Sequence, residues 1–183
     1  VFEYDENGNL CSLTTFRAPE QNIASDPSGR TDGDTTRWRY AWQEPLLLQK
    51  TYPDGSNLGY EYGDMNRLSV TTNARGTTTR YAYEEYSGYL KSLEYSDGTP
   101  GIDFNYNHNL QLRQVTDGRG THTLLYDTYS YYSGVITQSG NRTHTILEKF
   151  NDNLQTTGYQ LIVNRGTASE ELIQDVVYNY GPD

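Results

Sequence analysis

The sequence predicts an all-β protein of antiparallel hairpins that repeat about every 21 residues and form one curved or coiled sheet. Three observations carry that expectation. Turn glycines recur at Gly55, Gly76, Gly98, Gly120 and Gly140, with gaps of 21, 22, 22 and 20 residues. Each is followed by a stretch that closes on an aromatic residue: Tyr62, Tyr83, Tyr106, Tyr126 and Phe150. Within the stretches apolar and polar residues alternate with a period of two, as in Leu58/Tyr60/Tyr62, Ile102/Phe104/Tyr106 and His122/Leu124/Tyr126. That is the period of a strand with one apolar and one polar face.

Composition agrees. Tyrosine is over-used, with 18 residues, and glycine is frequent, with 17. Tyr favours strands, whereas Gly and Asn supply the positive φ of tight hairpin turns.

The first fifteen residues hold the end of one unit and the start of the next, with Tyr4-Asp5, a turn at Gly8, then Leu10 and Leu13. Residues 17–36 break the pattern with Pro, Gly, Asp and Ser and read as an irregular insertion. Trp38, Tyr40 and Trp42 then restore an aromatic alternation ahead of the Pro53-Asp54-Gly55 turn. From there each unit has two strands and two turns. The second strand is headed by leucine at Leu68, Leu90, Leu110 and Leu154. Longer turns are expected at Asp127 to Gly134 and at Asn164 to Glu171.

Charge and cysteine content narrow the function. A net charge of −10 opposes general nucleic-acid binding, which relies on Lys and Arg at phosphates, and opposes an anionic membrane surface. No apolar run reaches the ~20 residues that span a bilayer as a helix, and the first residues lack the pattern of a signal peptide. Starting inside a repeat, the chain reads as a piece of a longer protein. One cysteine, Cys11, allows no internal disulfide.

The repeating text is YDENGNLCSLT at 4–14, YGDMNRLSVTTNARGTTTRYAY at 62–83 and NYNHNLQLRQVTDGRGTHTLLYD at 105–127. It resembles the YD repeat of the Rhs family over about three quarters of the chain. The Tyr-Asp pair is intact at Tyr4-Asp5 and Tyr126-Asp127. Elsewhere it becomes Tyr62-Gly63, Tyr83-Glu84, Tyr106-Asn107 and Phe150-Asn151. The resemblance implies a β-sheet strip that coils into a hollow shell, as in insecticidal toxin complexes, Rhs polymorphic toxins and teneurins. It further implies a secreted or cell-surface location. Implied partners are the remainder of a longer chain, with its neighbouring repeats and a C-terminal toxin domain as cargo. Asp26-Pro27-Ser28-Gly29 superficially matches the self-cleaving segment of such shells, but its place ahead of the repeats makes it a plain turn.

The remaining chemistry is sparse. His122 and His144 occupy matched segments 22 residues apart, THTLL and THTIL, so repetition explains them better than a metal. His108 falls in a turn. Glu84-Glu85 and Glu170-Glu171 flank turns as solvated acids. Asn141-Arg142-Thr143 forms a glycosylation sequon. The expectation is a non-catalytic structural segment with no cofactor and no metal, defined by Tyr4, Gly55, Tyr62, Gly76, Tyr83, Gly98, Tyr106, Gly120, Tyr126, Gly140 and Phe150. The alternative is a surface carbohydrate-binding module that stacks sugars on Trp38, Tyr40 and Trp42.

Overall fold

Period-two alternation between turn residues gives strands that pair with their sequence neighbours, and the computed structural model shows that arrangement. It describes residues 1–16, 33–151, 153, 155–164, 167 and 169–178. The chain divides into two compact units. The first comprises Val1–Ala82 with Tyr95–Gly98, and the second comprises Tyr83–Glu94 with Thr99–Asp183.

In the first unit the strands are β1 (Phe2–Tyr4), β2 (Leu10–Phe16), β3 (Gly33–Tyr40), β4 (Leu47–Thr51), β5 (Asn57–Tyr62), β6 (Leu68–Thr72) and β7 (Thr78–Tyr83), whose last residue falls in the second unit. The second unit holds β8 (Leu90–Tyr95), β9 (Ile102–Tyr106), β10 (Leu112–Asp117), β11 (Gly120–Tyr126), β12 (Tyr132–Ser139), β13 (Arg142–Phe150), β14 (Thr156–Val163) and β15 (Glu171–Val177). Tyr95 alone of β8 belongs to the first unit. Within each unit the strands pair antiparallel with their neighbours in chain order. Among the described residues the one helical element is a single 3-10 turn at Asp64–Asn66.

The strands are mostly half-exposed. Ile162 is the buried apolar residue among those described, and Ser12 and Thr145 are the buried polar ones. Among the described residues, substantial contacts between elements run between sheet neighbours. Stability in each unit therefore comes from ladder hydrogen bonds and from rings lying against the adjacent strand. Covering half a tyrosine, roughly 100 Å², contributes about 2.5 kcal/mol at 25 cal/mol/Å² before entropy is counted.

Several expectations needed correction. Gly33 to Thr36 were expected in the insertion, but they form the first half of β3, where Thr14 pairs with Thr35 and their hydroxyls meet at 2.8 Å. Residues 17–32, with Asp26-Pro27-Ser28-Gly29, lie outside the described residues, as does Leu154. Leu110 does not head a strand: it sits in a turn with φ 61°, and β10 starts at Leu112. The stretch Asp127 to Gly134 is no long turn, because β12 begins at Tyr132 and leaves a five-residue loop. Gly120 is not the turn residue of its hairpin. It opens β11, opposite Asp117, and a Cβ there would lie 2.0 Å from the carbonyl oxygen of Gln138.

Candidate functional site

The feature that recurs is the strand end where an aromatic residue meets a five-residue loop. At three of these ends the tyrosine hydroxyl donates back across the sheet to a carbonyl near the start of the preceding strand. Tyr62 reaches Leu47 at 3.0 Å, Tyr106 reaches Leu90 at 2.9 Å and Tyr126 reaches Leu112 at 2.7 Å. The ring covers the neighbouring strand and the hydroxyl ties that strand's outermost carbonyl, so one side chain supplies both packing and closure. Burial pushes the phenols of Tyr62 and Tyr106 above their usual value.

The next residue shapes the loop. Asp5 accepts the backbone amides of Asn7 and Asn9, and Asn107 accepts those of Asn109 and Gln111. Asp127 does the same for Tyr129 and Tyr131, and Asn151 for Asn153 and Gln155. For the loop amides aspartate and asparagine serve alike, because both accept through Oδ1. Their second side-chain atom differs: Asp5 Oδ2 accepts from the Asn9 side chain, whereas Asn107 and Asn151 donate through Nδ2 to Gln111 and Gln155. Gly63 offers no such oxygen, and its loop winds instead through the 3-10 turn, with Met65 and Asn66 at positive φ. At Glu84 the loop lengthens by one residue, and the Glu84 amide donates to Tyr89. The changed letters of the repeat therefore mark changed loops.

A register shift accompanies these ends, falling beside Tyr4, Tyr40, Tyr62, Tyr126 and Phe150, and opposite Tyr106. The extra residue increases local twist and turns the aromatic ring toward the preceding strand. The opposite ends of the hairpins use the same chemistry more simply. Asn73 accepts the amides of Arg75 and Thr77, while Gly55 and Gly76 take φ of 83° and 81°.

Gly98 likewise has positive φ at 83°, and Gly140 does at 57°. Tyr83 ends β7 as expected, and Phe150 ends β13. The aromatic row is only partly assembled. Trp38 and Tyr40 lie on β3, with the Lys50 ammonium 5.8 Å from the Trp38 ring. Trp42 is beyond the strand in a loop and 83% exposed.

His122 and His144 both pair with Thr137, one from each side, and so share a face two strands apart. His122 meets the Thr137 hydroxyl at 3.1 Å and Asp117 at 3.4 Å. The Arg119 amide, and then His122, hold the Asp117 carboxyl below the usual carboxylate range. No group of three or more His, Cys, Asp or Glu able to hold a metal occurs among the described residues. Cys11 is a half-buried free thiol on β2. His108 falls in the β9–β10 loop.

Sequence reasoning missed a cleft on the second unit, lined by Tyr131, Tyr132, Glu148 and Phe150. The period-two spacing of Ile146, Glu148 and Phe150 along β13 was the signal available for it.

No model of a known family and no curated protein matches this sequence. Solved structures do. A crystal structure of TcdB2-TccC3 superposes with a TM-score of 0.56 at 12% identity, covering 92% of this chain and 12% of that one. A second, of TcdB2-TccC3-Cdc42, gives 0.51 at 14% identity, covering 92% and 11%. The form without its hypervariable C-terminal region gives 0.51 at 12% identity. The chain thus has an Rhs-like all-β fold and spans about a tenth of the length of the chains it resembles.

Proposed function

We propose that this chain is a non-catalytic wall segment of a longer, secreted Rhs-type repeat protein. In this reading residues 1–183 form one repeat region that continues into neighbouring repeats of the same polypeptide, and the assembled wall encloses or presents a toxin domain. The observation that supports it best is the repeated strand end, where tyrosine tethers and side-chain-capped loops stabilise hairpin after hairpin with little burial. Such a construction makes surface area without making a pocketed globule, which suits a partition better than an enzyme. Expression of the whole gene product, followed by electron microscopy, tests the proposal. A hollow particle with this segment in its wall is the expected result. A segment tethered as a separate body outside any shell overturns it.

A second reading, carbohydrate adhesion, draws on the open position of Trp42 next to Tyr40. It predicts glycan-array binding that is lost in Trp42→Ala and Tyr40→Ala; absence of binding to any glycan retires it.

A further inference from the structure

Two clefts on the second unit share one carboxylate, that of Glu148. The first, of about 250 Å³, is walled by rings that include Tyr132 and Phe150. The second, of about 600 Å³, is walled largely by Ile146, Leu161 and Tyr178. The strand register explains why they adjoin. Ile146, Glu148 and Phe150 alternate along one face of β13, Ile146 pairs with Leu161, and Glu148 pairs with Tyr159. These apolar groups stay open: Tyr132, Ile146, Phe150 and Tyr178 are each between 37% and 46% exposed.

Glu148 is half-buried, and its side chain makes no hydrogen bond or ion pair with any described residue. Its nearest cation in sequence, Lys149, points the other way because alternation puts it on the opposite face. There Lys149 pairs with Asp175, which also accepts from Gln160. Glu148 and Tyr132 line the same cleft, and burial first, then the negative charge of Glu148, push the Tyr132 phenol upward. A carboxylate beside aromatic faces suits a cation, most of all a guanidinium that can both pair and stack.

We infer that this face of the second unit binds an extended peptide segment of a partner, with an arginine seated against Glu148 and Tyr132 and apolar side chains at alternate positions lying in the adjoining cleft. Charge complementarity selects the arginine, and the apolar lining of the larger cleft selects its neighbours. In an extended segment, alternate side chains are about 6.6 Å apart on one face, which suits side-by-side clefts. The inference is independent of the wall proposal, because it concerns the isolated chain.

The probe is acetyl-Gly-Arg-Ser-Leu-Ser-Leu-Gly-amide titrated into the isotope-labelled chain and followed by NMR. Saturable shifts at Glu148, Ile146 and Tyr132 are expected. Replacing the arginine with uncharged citrulline should weaken binding about tenfold, and Glu148→Gln should do the same to the arginine peptide. Glu171→Gln, a charge change on β15 outside both clefts, should leave it unaltered. Absence of saturable binding, equal affinity for the citrulline peptide, or an equal loss in Glu171→Gln overturns the inference. The citrulline comparison uses the unmodified protein, so it decides the matter even where a variant folds poorly.

Discussion

Leu110 is the residue this fold should be better without. It occupies the fourth position of the Asn107–Gln111 loop, with φ 61° and 52% of its surface exposed. In the corresponding loops Gly8, Gly55 and Gly76 stand at that position with φ of 81° to 83°. The loop geometry is otherwise the same: the Leu110 amide donates to Asn107 as the Gly8 amide donates to Asp5. A left-handed conformation costs a non-glycine residue roughly 1–2 kcal/mol. Glycine gives back about 0.4–1 kcal/mol through its freer unfolded chain. Leu110→Gly should therefore stabilise the fold by about 0.5–1 kcal/mol, a rise of roughly 1–4 °C in Tm for a chain of this size. The reciprocal change, Gly76→Leu, should destabilise it by a similar amount, since space is open there and only φ resists. Thermal unfolding followed by circular dichroism measures both. A fall in Tm for Leu110→Gly would refute the reasoning, because it would mean that the leucine side chain contributes more than its backbone strain costs.

Other outcomes follow from the same loops and strand ends. Tyr106→Phe and Tyr126→Phe each remove one hydroxyl tether and should cost about 0.5–1.5 kcal/mol in chemical denaturation. Asn107→Asp keeps the acceptor for both loop amides but loses the donation from Nδ2 to Gln111 Oε1, and should cost about 0.5–1 kcal/mol at pH 7, whereas Asn107→Ala frees the two loop amides as well and should cost about 2 kcal/mol. Thr145 is fully buried on β13, and its hydroxyl has no partner among the described residues, so Thr145→Val should raise stability by about 1 kcal/mol. The carboxyls of Asp5, Asp54, Asp117 and Asp175 are held below their usual range, led by bonds from Asn9, Ser56, Arg119 and Lys149 respectively. Depressed carboxyl values mean that their stabilisation is complete above the unfolded value of about 3.9 and is lost as pH falls through the folded ones. For Tyr62, Tyr106 and Tyr132, whose phenols are raised by burial, the sign reverses: their contribution holds below about pH 10 and fades as pH climbs past their folded values. Urea midpoints measured from pH 3 to 11 should accordingly fall at both ends.

Strand ends were the most legible part of the sequence, because an aromatic residue followed by a loop-capping side chain is a local signal. The stretches closing on Tyr62, Tyr83, Tyr106, Tyr126 and Phe150 are the strands β5, β7, β9, β11 and β13. Positions that depend on backbone conformation were harder. Leu110 looks like the start of a strand because leucine is apolar, yet φ at that place is imposed by the loop and not by the side chain. Gly120 looks like a turn glycine, yet it is required by the carbonyl of Gln138 approaching from β12, a neighbour 18 residues away. The Glu148 clefts depend on which face β13, β14 and β15 share, and that emerges only once the bulges have set the register.

Because each strand is anchored chiefly to the one before and the one after it, the unit of change in this protein is a whole hairpin. Copying or deleting some 21 residues leaves every other junction intact, whereas losing a single residue inverts the faces of all that follow within that strand. A chain built this way can lengthen by duplication and drift, with an aromatic residue closing the strand and a loop that can be capped in more than one way as what is kept in step. That tolerance accounts for how a fold can be shared at 12% identity.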